Sequence, residues 1–325
     1  MRASENTAFC WTHNGKEYAI RVRQDPYPQS PREWDNLCTM ACWHRRYSLG
    51  DSAVTYRKDI DDFWHDEVRS RVNVEDIISA AEEGKLDGIR IERHDGLVNV
   101  YETIQLRTVI GNSEPEEVLE YEGIMECALP DYLVDDLTVG HCMTLLEPYI
   151  AVLPLWLYDH SGITISCGNR VYPYNDRWDS GQVGWIFISK DRVMKEVGTG
   201  YVLDENGERI KEEHVHPGAQ TTWSFKTRPL TEETWRARAE EIMKEEVKVY
   251  DQYLRGEVFG YELFEKDEDG DWTGTDCCYG FYGDDILESG LADNVGYDFR
   301  EAVENNSVIE GTADEVHSVS VVLDF

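Results

Sequence analysis

Residues 150–189 constrain the fold of this chain more than any other stretch. An apolar run, Ile150-Ala-Val-Leu-Pro-Leu-Trp-Leu-Tyr158, stops abruptly at Asp159-His160-Ser161-Gly162. A short strand-like piece follows at 163–166, then a polar loop, then Trp178-Asp-Ser-Gly-Gln182 and a second β-rich run at 183–189. Short apolar runs of this kind, bounded by turn formers, predict buried strands. Ends that carry Asp, His and Ser would put polar chemistry at the edge of the core those strands build.

The rest of the chain must supply partners for these strands. Residues 17–23 alternate and predict a strand. Ser30, Pro31 and Glu33 stand as N-cap, first helical residue and capping-box partner. Trp34, Leu37, Cys38 and Ala41 follow at helical spacing, which predicts a helix from there to about Tyr47, stopping near Gly50. That helix would carry Asp35, His44, Arg45 and Arg46, with Asp51 just past its end. Residues 59–66 read as a loop or short helix. Asn73 caps an expected helix through Ile77, Ile78 and Ala81 to Gly84. Strands are expected at 88–93 and 97–110 around a His94-Asp-Gly96 turn, and at 118–125, while 131–139 is ambiguous. A short helix is expected at 190–197. A long one spans 230–256, with Thr231 as cap, acidic residues in its first turn and Gly256 as its stop. Strands at 257–265 and 277–282 flank an acidic tip at 266–271. That tip lacks the twelve-residue pattern and final Glu of a calcium loop. Short helices are expected at 284–291 and 297–304, and a strand at 316–325. Strands mixed irregularly with a few helices predict an α+β fold of mixed, mainly antiparallel sheets. A single domain over 1–325 with insertions is expected, with a weak subdivision near 140–150.

Charge is the strongest global fact. Against 31 basic residues stand 65 acidic ones, a net charge of −34. Phosphate backbones are bound through positive charge, so direct nucleic-acid binding is not expected. Basic protein surfaces, including those of host nucleic-acid-binding proteins, are the partners such a chain attracts. Solubility, or adaptation to high salt, also accounts for the charge, and mimicry of a polyanion is the sharper reading. No apolar run reaches the roughly 20 residues that span a bilayer, and the first residues lack a signal-peptide core. The expectation is a cytoplasmic protein of the host cell, without membrane contact and of undetermined oligomeric state. Eight cysteines without paired CxxC spacing read as buried thiols. Cys38, Cys42 and His44 fall short of the four ligands of a zinc site. His214 and His216 share a strand face, but no third ligand is visible. No metal site and no cofactor are assigned, and a divalent metal stays open.

Five stretches carry a resemblance: SPREWDNLCTMACWHRRYSLGD at 30–51, LPLWLYDHSGITIS at 153–166, WDSGQVGWI at 178–186, YDQYLRGE at 250–257 and YGFYGD at 279–284. Together they resemble an uncharacterised family of proteins carried by bacteriophages, prophages and other mobile elements. The resemblance implies an accessory gene of a mobile element and implies no reaction.

Within those stretches the polar residues are Asp35, His44, Arg45, Arg46, Asp51, Asp159, His160, Ser161, Asp179, Ser180 and Gln182, with Trp178 beside them. If they converge, Asp159 and His160 could serve general-base chemistry and Ser161 nucleophilic attack. Asp35, His44, Arg45, Arg46, Asp51, Trp178, Asp179 and Gln182 are the candidate binding residues. Asp35, His44, Asp159 and His160 would alternatively suit a metal. The bland alternative is that these residues make turns and anchor a core. Ser161 lacks the G-x-S-x-G frame, and no Walker loop, HExxH or GxGxxG follows a strand. Whether the chain is an enzyme stays open. Three functions fit: an anti-defence accessory protein that binds and inhibits or redirects a host factor through an acidic surface, a hydrolase or binder of a nucleotide or small signalling molecule using an Asp/His/Arg pocket, and a virion-associated structural protein.

Overall fold

A computed structural model describes residues 1–4, 7–56, 58–104, 107–108, 111–112, 115–168, 178–214 and 222–312. In chain order the first half contains strands β1 (Thr7–His13), β2 (Lys16–Gln24) and β3 (Thr39–Cys42), then helices α1 (Ile60–Arg71) and α2 (Val74–Glu82). Strands β4 (Ile89–His94), β5 (Leu97–Ile104), β6 (Arg107–Thr108), β7 (Gly111–Asn112) and β8 (Glu116–Met125) follow, then α3 (Leu129–Leu133) and α4 (Val139–Leu146). Next come β9 (Ile150–Asp159), β10 (Ile163–Cys167), β11 (Ser180–Ser189), α5 (Lys190–Arg192), β12 (Thr199–Tyr201), β13 (Lys211–His214), β14 (Thr222–Phe225) and β15 (Thr227–Pro229). The chain continues with α6 (Trp235–Leu254), β16 (Val258–Lys266), β17 (Trp272–Tyr282), α7 (Leu291–Val295), α8 (Phe299–Glu304) and β18 (Ile309–Thr312). The fold is α+β, with several antiparallel sheets and a modest number of packed helices, as the sequence pattern implies. No described helix is long and apolar enough to cross a membrane.

Two compact units emerge. Unit 1 comprises Met1–Asn36, Leu155–Gln182 and Lys244–Phe325, and unit 2 comprises Leu37–Pro154 and Val183–Met243. The unit boundaries fall inside β9, β11 and α6.

Unit 1 is built on a five-stranded sheet in the order β17-β16-β2-β1-β18. Period-two alternation sends Tyr18, Ile20 and Val22 of β2 to one face, where they meet Phe9, Trp11, Tyr261 and Leu263. Ile286, Leu291 and Phe299, from the turn after β17 and from α7 and α8, cover that face. The opposite face buries Ala8, Ala19 and Phe264, together with the Arg21–Glu262 ion pair.

Unit 2 packs α1, α2, α3 and α4 around Trp64, Ile77, Ile78, Leu129 and Leu146, all fully buried. Trp64 meets Trp185 of β11 edge-on at 5.7 Å, and Phe63 lies 6.0 Å from Phe187. The residues 183–189 read from the sequence as a buried strand do carry the aromatics of this core. Asn73 caps α2 by accepting from Asp76 N. The three-stranded sheet β4-β5-β8 adds Ile91, Val98, Val100 and Ile124.

The helix expected from Ser30 to Tyr47 does not form. Ser30 caps as read, but only a single 3-10 turn follows at Pro31–Glu33. Trp34 is extended, and the Asn36 amide donates to the Pro31 and Trp34 carbonyls, closing the turn. Residues 39–42 then pair with β11, Thr39 opposite Phe187 and Cys42 opposite Gly184. A sheet partner absent from any local window overrides helical spacing. Residues 284–290 likewise form turns, because Asp285 Oδ1 accepts the Leu287 and Glu288 N–H groups, and α7 begins only at Leu291. Helix α6 starts at Trp235, four residues after Thr231, whose carbonyl receives the Trp235 N–H. Gly256 does end it, with the Gly256 and Glu257 N–H groups returning to the Tyr253 and Gln252 carbonyls. The acidic tip closes a β16–β17 hairpin, Asp267 accepting the Asp269 and Asp271 N–H groups. The strand expected at 316–325, and residues 105–106 and 109–110 of the strand expected at 97–110, lie outside the described residues.

Candidate functional site

The sequence-derived polar residues divide between the units. Asp35, Asp159, His160, Ser161, Trp178, Asp179, Ser180 and Gln182 belong to unit 1, and His44, Arg45, Arg46 and Asp51 to unit 2.

In unit 1 they form a hairpin tip. Strands β9 and β10 pair with Ile163 opposite Asp159, and the His160 N–H donates to the Gly162 carbonyl at 3.1 Å. Ser161 sits at φ +59°, in the left-handed region. The chain returns at Asp179, whose carbonyl accepts the Asp159 N–H at 2.7 Å and whose Oδ2 meets His160 Nδ1 at 3.0 Å. The His160 side chain is 62% exposed, and Trp178 is 96% exposed. Ser161 and Gln182 are exposed as well. An exposed His–Asp pair of this kind contributes little to stability. Asp35 lies in the exposed turn after Pro31–Glu33.

In unit 2 the same vocabulary builds a cleft. After β3 the chain loops out through Trp43–His44–Arg45–Arg46–Tyr47 and folds back onto its own strand. The return is fixed at Gly50 and Asp51. The Asp51 N–H donates to the Met40 carbonyl at 2.7 Å, and its carboxylate accepts the Met40 N–H at 2.8 Å. Gly50 has φ +61°, and a Cβ there would stand 2.5 Å from the Met40 carbonyl oxygen. Only glycine combines that backbone with that approach. Asp51 is therefore the loop's clamp.

His44 organises the loop's outer turn. Its Nδ1 accepts the Arg46 and Tyr47 N–H groups at 3.3 and 3.1 Å. That leaves the neutral ring with its hydrogen on Nε2. The imidazole stacks on Tyr47 with centroids 5.0 Å apart and planes within 6°, and the Arg46 guanidinium lies over the same ring at 5.5 Å. The Trp43 indole is pinned by donating to the Lys58 carbonyl at 3.0 Å. Around this frame opens a cleft of about 490 Å³ lined by His44, Arg45, Tyr47, Ser48, Ser52 and Thr55 among others. Residues 42–58 hold four Lys or Arg against one Asp, and that Asp is the clamp. Lys58 is paired with Asp66 at 2.8 Å; Arg45 stands in the cleft lining, and Arg46 lies beside it over the Tyr47 ring.

A second cavity was not legible as chemistry in the sequence. The 250–257 and 279–284 stretches meet in unit 1 around a space of about 360 Å³ lined by Asp251, Gln252, Arg255, Glu257, Tyr282 and Asp284, among others. Burial pushes the Asp251 carboxyl above its ordinary value, against the pull of the Ile165 N–H and Arg255. Burial also raises Glu257, with Arg255 opposing and Asp284 reinforcing. Arg255 bridges the two, 3.6 Å from Asp251 and 2.5 Å from Glu257. The only local sign is the i, i+4 spacing of Asp251 and Arg255, which any solvated helix face can show.

Among the described residues no three His, Cys, Asp or Glu side chains gather as metal ligands. His216 and the side chain of His214 lie outside the described residues. The eight cysteines are free thiols, with Cys38, Cys42 and Cys142 buried and Cys127 and Cys277 exposed. Comparison with protein-family models, with characterised proteins and with solved structures returns no match.

Proposed function

We propose that this chain binds a small phosphate-bearing anion, a nucleotide or small signalling molecule, in the His44–Arg45 cleft of unit 2. The observation that carries the reading is a cationic, hydroxyl-lined cleft inside a chain of net charge −34. Negative charge elsewhere would repel an anion, so a basic loop held in shape by an aspartate clamp and a glycine-only turn is a purposeful exception. Guanidinium groups give phosphate charge and directional donors. Ser48, Ser52 and Thr55 in the lining add neutral donors. In a mobile-element accessory protein, such binding would withdraw a signalling molecule from the host. Hydrolysis of the ligand would need a positioned general base, and the cleft's own Asp51 is committed to Met40.

Calorimetric titration with ATP, cyclic AMP and inorganic phosphate tests the reading. Saturable binding by at least one probe is expected, weakening at least tenfold in Arg45→Ala/Arg46→Ala and falling with added salt. Absence of saturation by all three at millimolar concentration would overturn it.

A second reading, a decoy that binds and inhibits a basic host factor, is favoured by the bulk charge. Unit 1 holds 12 basic and 30 acidic residues, and unit 2 holds 19 and 35. The surplus is thus shared almost equally and singles out neither unit as the docking body. Pull-down from a host lysate, with charge-reversed surface variants as controls, tests it. Capture of the same proteins by wild type and reversed variants would remove it.

A further inference from the structure

Strands β5 and β8 run on together beyond the core of unit 2. Ile91, Val98, Val100 and Ile124 anchor the base of their sheet, but residues 102–104 and 116–120 are all exposed. Strand β8 ends the order β4-β5-β8, with no strand beyond it among the described residues.

Pairing fixes which side chains this edge displays, because directly opposite residues share a face of the sheet. Leu119 stands opposite Tyr101 and Met125 opposite Leu97, while Val118 faces Glu102 and Glu116 faces Ile104. Leu97, Ile104, Val118, Leu119 and Met125 are between 37% and 61% exposed. Single exposed apolar residues are ordinary, but a group of them gathered on one element marks a contact surface. Two register shifts interrupt the pairing between Val98 and Tyr101, and from there the pairs run unbroken from Tyr101–Leu119 to Ile104–Glu116. A regular, exposed edge of this kind is a template for another strand, whereas a bulged one is not.

Charge selects which strand. Residues 116–122 hold four Glu and no Lys or Arg. Glu117 is taken by Arg90 at 2.7 Å, while Glu116, Glu120 and Glu122 make no ion pair among the described residues. A second copy of this chain would set the same carboxylates against them, and the net charge of −34 on each copy would add to the repulsion. Charged side chains are the usual guard of an edge against self-association. A guard of one sign repels its like and admits its opposite.

We infer that the outer edge of β8 receives an extended, lysine- or arginine-bearing segment of a partner protein, added as a fourth strand to β4-β5-β8. Main-chain hydrogen bonds hold the segment, and its alternate side chains give specificity. Its apolar residues cover Val118 and Leu119, and its cations meet Glu116, Glu120 and Glu122. This docking surface rests on the second reading above, a decoy for a basic host factor, and shares no residue with the cleft at His44.

The test uses the full chain and a labelled ten-residue peptide of alternating lysine and valine. Three companion peptides carry glutamate in place of lysine, serine in place of valine, or a proline at the centre. Binding is followed by fluorescence anisotropy at constant ionic strength, and the contact is located by backbone amide hydrogen exchange. Saturable binding of the lysine–valine peptide is expected, with slowed exchange confined to β8. Each companion should bind at least tenfold more weakly, the proline peptide because it lacks a ladder N–H. Glu116→Gln/Glu120→Gln/Glu122→Gln and Val118→Ser/Leu119→Ser should each weaken binding at least tenfold. All five side chains are exposed, so their replacement leaves the core intact. The Arg45→Ala/Arg46→Ala variant should bind as wild type does. A proline peptide that binds as well as its parent, exchange unchanged in β8, or no saturation at millimolar peptide overturns the proposal. Protection of β8 that appears in the free chain as its concentration rises also overturns it, by giving the edge to a second copy. Specific capture from a host lysate without peptide binding removes this surface and leaves the decoy reading standing. Peptide binding at β8 without specific capture removes the decoy reading and keeps the surface.

Discussion

The β9–β10 hairpin of unit 1 and the loop after β3 in unit 2 use the same residue types at strand ends, with opposite results. The hairpin offers Asp159 at the end of β9 and His160 and Ser161 on the three-residue turn that follows, and its His–Asp pair faces solvent. The loop offers His44, Arg45 and Asp51, and an open cleft lies against it. What separates them is the backbone. A hairpin returns at once and spends its polar groups on its own turn. The longer loop returns through a glycine-only bend and an aspartate clamp, so its side chains surround space. Polar residues beside a strand end line a cleft when the chain has a reason to fold back around a volume.

The largest effect should come from the bend. Gly50→Ala introduces a left-handed alanine, costing about 1–2 kcal/mol, and drives a Cβ against the Met40 carbonyl, where overpacking adds about 1–3 kcal/mol. Denaturant unfolding should show a loss near 3 kcal/mol, and anion binding at the cleft should vanish even where the variant folds. A Gly50→Ala protein of wild-type stability and affinity would break the comparison, since the loop would then owe its shape to something else.

Next comes the clamp. Asp51→Ala leaves the N–H of Met40, a fully buried residue, without its carboxylate acceptor, a loss of about 1–3 kcal/mol. The hairpin has a counterpart, because Asp251 Oδ1 accepts the Ile165 N–H of β10 at 2.7 Å. Here the sign differs with pH. Burial raises the folded-state carboxyl of Asp251, so its contribution is full below the unfolded value of about 3.9 and is lost as pH rises through the folded value. Asp251→Asn keeps an acceptor and removes the charge. Its stability relative to wild type should therefore improve from pH 4 to pH 7, as read by thermal unfolding at fixed ionic strength. A difference that stays flat with pH would remove Asp251 as a titrating anchor.

These contrasts explain what was legible in the sequence. Period-two alternation at 17–23 and the apolar runs at 150–158 and 183–189 announced strands because burial on a face is a local pattern. Asn73, Gly256 and the tip at 266–271 were legible because caps and turns are chemistry within a few residues. The stretch after Ser30 misled because its helical spacing was real, while its partner, β11, lies more than 140 residues away. His44, Arg45 and Arg46 were placed on a helix that does not form, and they stand on the loop after β3 instead. The Asp251–Glu257 cavity left no trace, because its two stretches looked familiar as strings, and only the packing of α6 beside the end of β17 turns them into one lining.

The smallest effects belong to the hairpin tip, and they test the comparison from its weak side. Ser161→Gly relieves the left-handed serine, a gain of about 1–2 kcal/mol, offset by about 0.5–1 kcal/mol of extra backbone entropy in the unfolded chain. A net stabilisation of about 0.5 kcal/mol is expected. His160→Ala removes one exposed pairing with Asp179 and should change stability by less than about 0.5 kcal/mol, because the Asp159 N–H to Asp179 carbonyl bond at 2.7 Å still ties the strand ends together. Neither variant should alter anion binding in unit 2. The sharper readout is turnover: if the chain hydrolyses a nucleotide and His160→Ala abolishes it with stability intact, the exposed tip is a catalytic surface after all, and enclosure of space ceases to be what distinguishes the two regions.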